Sequence, residues 1–216
     1  MKKGLIFDLD GVITDTAKFH FVAWKNMADS LGISIDEKFN EKLKGISRMD
    51  SLNKILAKEG KENDFTQEQK DELAAVKNEE YVKLLEGLTN KDVLPGVNDL
   101  INQAKEKGMK LAIASASKNA PYILTKLGLI QDFDFIVDPD SLAKSKPDPE
   151  IFIKAAQGIG LDVSECIGIE DAQAGVEAIR SANMFALGVT FDGPLTNTNL
   201  TVDNLSQVNF EELINN

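Results

Sequence analysis

The first patterned stretch of the chain reads Gly4-Leu5-Ile6-Phe7-Asp8-Leu9-Asp10-Gly11: a short apolar run, then two acids and a glycine. A run this short, without strict polar–apolar alternation, reads as a strand buried on both faces. Similar runs recur at Leu111–Ala114, Phe135–Val137, Cys166–Ile169 and Ala186–Val189, each ending in polar or small residues. Helical patterns fill the spaces between the later runs, at Gly96–Lys107, Ala120–Leu127, Pro149–Gly158 and Ala172–Ala182, each bounded by Gly, Pro or Asn. Strands alternating with helices predict an α/β fold, a doubly wound parallel sheet with a Rossmann-like core.

A second texture occupies the stretch from about Ala17 to Leu88, where only helical periodicity is present. Phe19, Val22, Ala23, Met27 and Leu31 share one helical face, and Ser51, Leu52, Ile55 and Leu56 share another. Leu73, Val76, Tyr81, Leu84 and Leu85 suggest a longer helix. A strand-free stretch between the first and second strands is an all-helical insertion. The expected organisation is a discontinuous core, 1–15 and 92–216, with a helical cap at 16–91. Thr196–Thr201, rich in Asn and Thr, is expected to be a loop before a final edge strand.

Bulk composition narrows the function classes. The 24 basic and 35 acidic side chains give a formal net charge of −11, which argues against general affinity for nucleic acid or anionic membrane. The single cysteine, Cys166, cannot form an internal disulfide and reads as a small buried apolar residue. No stretch approaches the roughly 18 apolar residues of a membrane span. The expectation is a soluble cytoplasmic protein for which a monomer suffices.

In open parallel sheets, ligands bind beyond the carboxyl ends of the strands. Asp8 and Asp10 follow the first run, and Ser115, Ala116, Ser117, Lys118 and Asn119 follow the second. After the third come Lys144, Lys146, Pro147 and Asp148; after the fourth, Glu170 and Asp171. Carboxylates gathered at one edge repel unless a cation or proton intervenes. Four acids read as a hard-cation site, and Mg²⁺ suits oxygen ligands with bound phosphate. An Asp-x-Asp-Gly by itself is also a turn signal, or a metal site without covalent chemistry. Ser115, at a strand-to-helix turn, can help hold a phosphate or merely cap a helix. Lys146 can neutralise charge on a transferring group.

Taken together, Asp8-Leu9-Asp10-Gly11-Val12, Ser115, Lys146-Pro147 and Gly168-Ile169-Glu170-Asp171 resemble the four motifs of the haloacid dehalogenase-like phosphotransferase superfamily. The resemblance implies Asp8 as nucleophile, forming an aspartyl phosphate, and Asp10 as general acid and base. It also implies Mg²⁺ held by Asp8, the Asp10 carbonyl, Glu170 and Asp171, with Ser115 and Lys146 on the transferring phosphate.

Within that superfamily, the insertion is similar to that of mutases acting on β-glucose 1-phosphate. The likeness lies in Phe7 to Ala17 with His20 and Trp24, in Leu43-Lys44-Gly45-Ile46-Ser47-Arg48 with Asp50-Ser51-Leu52, in Lys77-Asn78 with Tyr81-Val82, and in Ala114 to Asn119. It implies sugar-phosphate substrates, with glucose 1,6-bisphosphate as phosphorylating activator. Arg48 would anchor the distal phosphate bidentately. Gly45, Ile46 and Ser51 would contact substrate from the cap, and Ala116, Ser117, Lys118 and Asn119 from the core; Trp24 and Leu43 would pack around the sugar or else serve the packing of the cap itself. His20, Lys77 and Thr16, the last in the hinge, would couple ligand binding to cap closure and to Asp10. A small sugar-phosphate or phosphoglycolate phosphatase on the same core is the competing reading.

Overall fold

The computed structural model describes residues 1–190 and 194–216. They divide into two compact units, one formed by Met1–Asp15 with Leu88–Asn216, the other by Thr16–Gly87.

The first unit carries a sheet built from β1 (Gly4–Phe7), β2 (Lys110–Ile113), β3 (Phe135–Ile136), β4 (Cys166–Glu170), β5 (Phe185–Val189) and β6 (Leu200–Val202). Among the described residues the strand order is β3-β2-β1-β4-β5-β6, and each neighbouring pair is parallel. That order reverses direction between β1 and β4, which makes their carboxyl ends the switch point where such sheets bind ligands. The expected runs lie where strands form, with ends differing by a residue or so. The edge strand overlaps the Asn/Thr cluster instead of following it: Leu200 and Thr201 pair with Leu187 and Gly188.

The helices of this unit are α5 (Val97–Glu106), α6 (Ala120–Leu127), α7 (Glu150–Gly158), α8 (Gln173–Ser181) and α9 (Phe210–Ile214). Ile151, Phe152, Ala155, Val176 and Ile179 of α7 and α8 pack with Ile6, Ala112, Ala114 and Ala186 of the sheet. Small residues on that sheet face let the helices approach. A Cβ on Gly168 would fall 2.6 Å from Ile179 Cγ1. Cys166 is buried in the same cluster, and burial pushes its thiol up to about 12, so it stays protonated and inert.

Where the chain leaves this unit and returns to it, the two passages are stitched together. Thr14 bridges Val93, the Leu94 N–H donates to the Ile13 carbonyl at 2.9 Å, and Thr14 Oγ1 donates to the Asp92 carbonyl at 2.8 Å.

The second unit contains α1 (Ala17–Ser30), α2 (Glu37–Asn40), α3 (Arg48–Ala57) and α4 (Gln67–Leu85). Side-chain caps start the two later helices. Ser47 accepts the Asp50 N–H at 3.1 Å, and Thr66 and Gln69 exchange bonds in a capping box. Trp24, Met27, Ile33, Leu52, Ile55 and Leu56 form its core.

The buried face of α3 is the expected one, but those of α1 and α4 are shifted. Val22 is 41% exposed and Val76 is 60% exposed, while Trp24, Ala28, Ala74 and Lys77 are buried. On α4 a lysine occupies the inward position next to an exposed valine, because its partners lie on α1. No helix of the described residues is long and apolar enough to cross a membrane.

Candidate active site

Parallel pairing of β1 with β4 sets Phe7 opposite Ile169, so Asp8 and Glu170 emerge side by side at the switch point. Asp8 extends the ladder by one bond, its N–H donating to the Ile169 carbonyl at 2.9 Å. Beyond it the chain turns sharply. Gly11 adopts φ +82°, and the N–H groups of Ile13 and Thr14 both return to the Leu9 carbonyl. A Cβ at Gly11 would lie 2.0 Å from Asp171 Oδ2, so the glycine leaves room for that carboxylate as well as allowing the turn.

Lys146 enters from the segment between β3 and α7 and places its ammonium between the two acids. Its Nζ donates to Asp8 Oδ1 at 2.6 Å and to Glu170 Oε2 at 2.7 Å. Glu170 Oε1 meanwhile accepts the N–H groups of Asp171 and Ala172, both at 3.1 Å. Every oxygen of this fully buried carboxylate is therefore engaged.

Electrostatics at the cluster are unbalanced. Burial, the Glu170 charge and Asp10 push the Asp8 carboxyl up to about 8, against the pull of Lys146. Burial alone would lower the Lys146 ammonium, yet Asp8 and Glu170 outweigh it and hold the group above its ordinary value. One ammonium does not offset the gathered carboxylates. Oxygens of Asp8, Glu170 and Asp171 lie within 4.8 Å of one another, an all-oxygen donor set that fits a hard divalent cation. The side chain of Asp10 is not one of these three.

After β2, Ser115 is buried, and its Oγ accepts the Ser117 N–H at 3.1 Å. Ser117 Oγ in turn accepts the Asn119 N–H at 3.3 Å, which curls this loop into the start of α6. Ala116, Ser117 and Asn119 are half-buried, whereas Lys118 is exposed and pairs with Asp140.

In the helical unit, Thr16 is a buried residue at the N-terminal boundary of α1. His20 Nδ1 lies 2.7 Å from Lys77 Nζ. Arg48 donates from Nη2 to Asn78 Oδ1 at 2.8 Å. Gly45 has φ +73° and, with Ile46, is half-buried ahead of α3. Trp24 and Leu43 belong to the apolar core, and the Ser51 hydroxyl donates to the Ser47 carbonyl within its own helix. These last three have visible structural occupations.

Each unit also brings residues outside the expected set into contact with the expected ones. Asn78 flanks Arg48, and Tyr81 stacks on His20 with ring centroids 3.9 Å apart. Tyr81 stands four residues after Lys77 and falls within the likeness drawn for the insertion, but neither signal assigned it a role. Gly175, in the first turn of α8, had none.

The chain matches the haloacid dehalogenase-like hydrolase family over residues 2–183. It is 48% identical over 211 residues to the β-phosphoglucomutase of Bacillus subtilis, covering 98% of this chain and 93% of that one. A crystal structure of β-phosphoglucomutase from Clostridium difficile superposes with a TM-score of 0.95 at 48% identity, covering 99% of this chain and 96% of the other. The fructose-1-phosphate phosphatase YqaB of Escherichia coli is 31% identical over 188 residues, covering 86% of this chain and 95% of that one.

Two outcomes are expected at the cluster. A divalent cation bound at Asp8 would displace the proton that burial and Glu170 favour there up to about pH 8, so Mg²⁺ affinity should level off above that pH and fall below it. The limiting fall is about tenfold per pH unit. Calorimetric titrations at several pH values, in buffers of different ionisation enthalpy, would measure the released proton. Gly175→Ala tests the packing: helix propensity alone favours alanine by about 1 kcal/mol. Its Cβ, however, would meet Glu170 Oε2 at 1.8 Å, and that carboxylate is pinned by its own hydrogen bonds. Weaker Mg²⁺ binding with an intact circular dichroism spectrum is expected.

Proposed function

The chain belongs to the haloacid dehalogenase-like hydrolase family, and from that membership we propose that it is a β-phosphoglucomutase, interconverting β-glucose 1-phosphate and glucose 6-phosphate. The observation that carries this reading is the 48% identity to the B. subtilis mutase over 98% of the chain, which takes in both units. The phosphatase reading is supported less, by relatives such as the 31% identical fructose-1-phosphate phosphatase.

In this mechanism an Asp8 carboxylate oxygen attacks phosphorus, and the bond from phosphorus to the sugar oxygen breaks. Asp10 gives its proton to that leaving oxygen. In the return step a hydroxyl of the other sugar position attacks the aspartyl phosphate, and Asp10 takes the proton. Phosphorylated enzyme thus converts β-glucose 1-phosphate to the 1,6-bisphosphate, which turns and returns its 1-phosphate to Asp8. Glucose 1,6-bisphosphate primes the cycle by phosphorylating Asp8 at the outset.

Asp8, Glu170 and Asp171, with the Asp10 carbonyl, would hold a magnesium ion, which when bound would supply positive charge for phosphoryl transfer. Lys146 holds the Asp8 carboxylate in line and adds its own charge, and Ser115 orients the transferring group. Burial of Asp8, at 4% exposure, keeps bulk water from the acyl phosphate. Arg48 anchors the distal phosphate, with Asn78 holding its guanidinium from the side. Ser117, Lys118 and Asn119 add contacts from the core loop, and Gly45 and Ile46 from the helical unit. Thr16 serves the hinge. The helical unit acts as a cap, and the enzyme works as a cytoplasmic monomer.

A coupled assay for glucose 6-phosphate, with Mg²⁺ and a trace of glucose 1,6-bisphosphate, should convert the β anomer of glucose 1-phosphate and spare the α anomer. Little inorganic phosphate should appear. Steady phosphate release without glucose 6-phosphate would overturn the mutase reading in favour of the phosphatase, and Asp8→Asn should abolish either activity. Arg48→Ala should impair turnover of phosphorylated sugars far more than phosphoenzyme formation from acetyl phosphate, which has no distal phosphate. Equal losses with both would refute the anchor.

A further inference from the structure

Lys77 occupies the inward face of α4 at 2% exposure, in a position where helical periodicity calls for an apolar side chain. Its surroundings are aromatic. The Nζ lies 4.6 Å from the ring centroid of Trp24 on α1 and 4.6 Å from that of Tyr81, one turn along α4. Both rings are themselves buried. Electron-rich faces on two sides favour the charged ammonium, since a cation gains from the ring quadrupole and a neutral amine does not.

The same Nζ lies 2.7 Å from His20 Nδ1. An ammonium carries three donors and no acceptor, so the hydrogen bond has only one direction: Lys77 donates and Nδ1 accepts. A nitrogen that accepts cannot carry a proton, which leaves the imidazole proton on Nε2. Tyr81 fixes the ring plane, stacking on His20 at 3.9 Å between centroids and 24° between planes.

We propose that Lys77, clasped between Trp24 and Tyr81, locks His20 as the neutral imidazole protonated at Nε2. His20 is then a permanent hydrogen-bond donor, neither a general base nor an imidazolium. Lys77, Trp24 and Tyr81 are positioning residues that act through it. Two charged groups of the helical unit act on His20 in the same direction. Burial, then Lys77 from α4 and Arg48 from α3, hold its pKa well below the ordinary value, and Tyr81 adds no charge at neutral pH. The position of the proton stands independently of the reaction assigned above. Its use, as a donor to an oxygen of the sugar phosphate, rests on that mutase reading.

His20 is the only histidine in the chain, so a protein labelled with ¹⁵N-histidine reports on one ring alone. Long-range ¹H–¹⁵N spectra should show a pyridine-like Nδ1 and a pyrrole-like Nε2, unchanged between about pH 5.5 and about pH 8.5. A pyrrole-like Nδ1, or a titration centred near about 6.5, would overturn the lock. This measurement is made on the unmodified protein and needs no variant to fold.

Lys77→Met keeps the bulk and removes the donor, so His20 should then titrate with a midpoint raised by at least about one pH unit and populate both tautomers. An unchanged spectrum in that variant would also overturn the proposal. Trp24→Leu should loosen the lock in the same direction, and Trp24→Phe, which restores an aromatic face, should recover it. If the locked spectrum is found in a protein that forms no glucose 6-phosphate, the lock holds and the mutase reading falls.

Discussion

The ammonium of Lys146, donating at once to Asp8 and Glu170, is the contact on which the catalytic unit depends. Strand register forces two carboxylates together at the switch point, in a place without solvent to screen them. Removing one member of such a buried set leaves an uncompensated charge, typically a loss of about 3–5 kcal/mol. The Lys146 side chain is fully buried, and its Nζ also sits 5.1 Å from the Phe152 ring centroid in the apolar core. The charged cluster and the hydrophobic core are thus continuous through one side chain. Placement of the segment between β3 and α7, of β1 and of β4 is decided jointly.

That cluster remains short of positive charge, and the shortage is useful. A site already neutral would have little attraction for a divalent cation or for the phosphate that accompanies it. Asp8 is left able to hold a proton or, together with Glu170 and Asp171, to share a divalent cation. The helical unit shows the complementary arrangement. There a buried cation, Lys77, is stabilised by aromatic faces and an imidazole nitrogen.

Much of this was legible in the sequence, for physical reasons that differ by element. Parallel strands buried on both faces leave short apolar runs, so β1, β2, β4 and β5 stand out, and acids at their ends mark the ligand-binding edge. The alternation that follows made the sheet readable as doubly wound. Helix faces in the insertion were legible on α3, where burial follows apolarity. They were displaced on α4, because Lys77 is buried by partners on α1 that local periodicity does not report. The role of Tyr81, though the residue was noted, and the whole of Gly175 escaped for a related reason: one matters through its stack on His20, the other through the atom it lacks beside Glu170. The short strand β6 overlaps a polar cluster because pairing with β5, not composition, makes it a strand.

The seam at Thr14 and Val93 gives the architecture a freedom of another kind. The two ends of the insertion leave and re-enter the α/β unit at points already joined by main-chain and side-chain hydrogen bonds. Closing a loop between fixed points depends only logarithmically on its length, each doubling adding about 0.6 kcal/mol. Whatever is spliced between those points is therefore nearly neutral for the folding of the rest. Evolution can lengthen, replace or redraw that cassette while the phosphoryl-transfer chemistry stays as it is, and new specificities can arise at one locus of the chain.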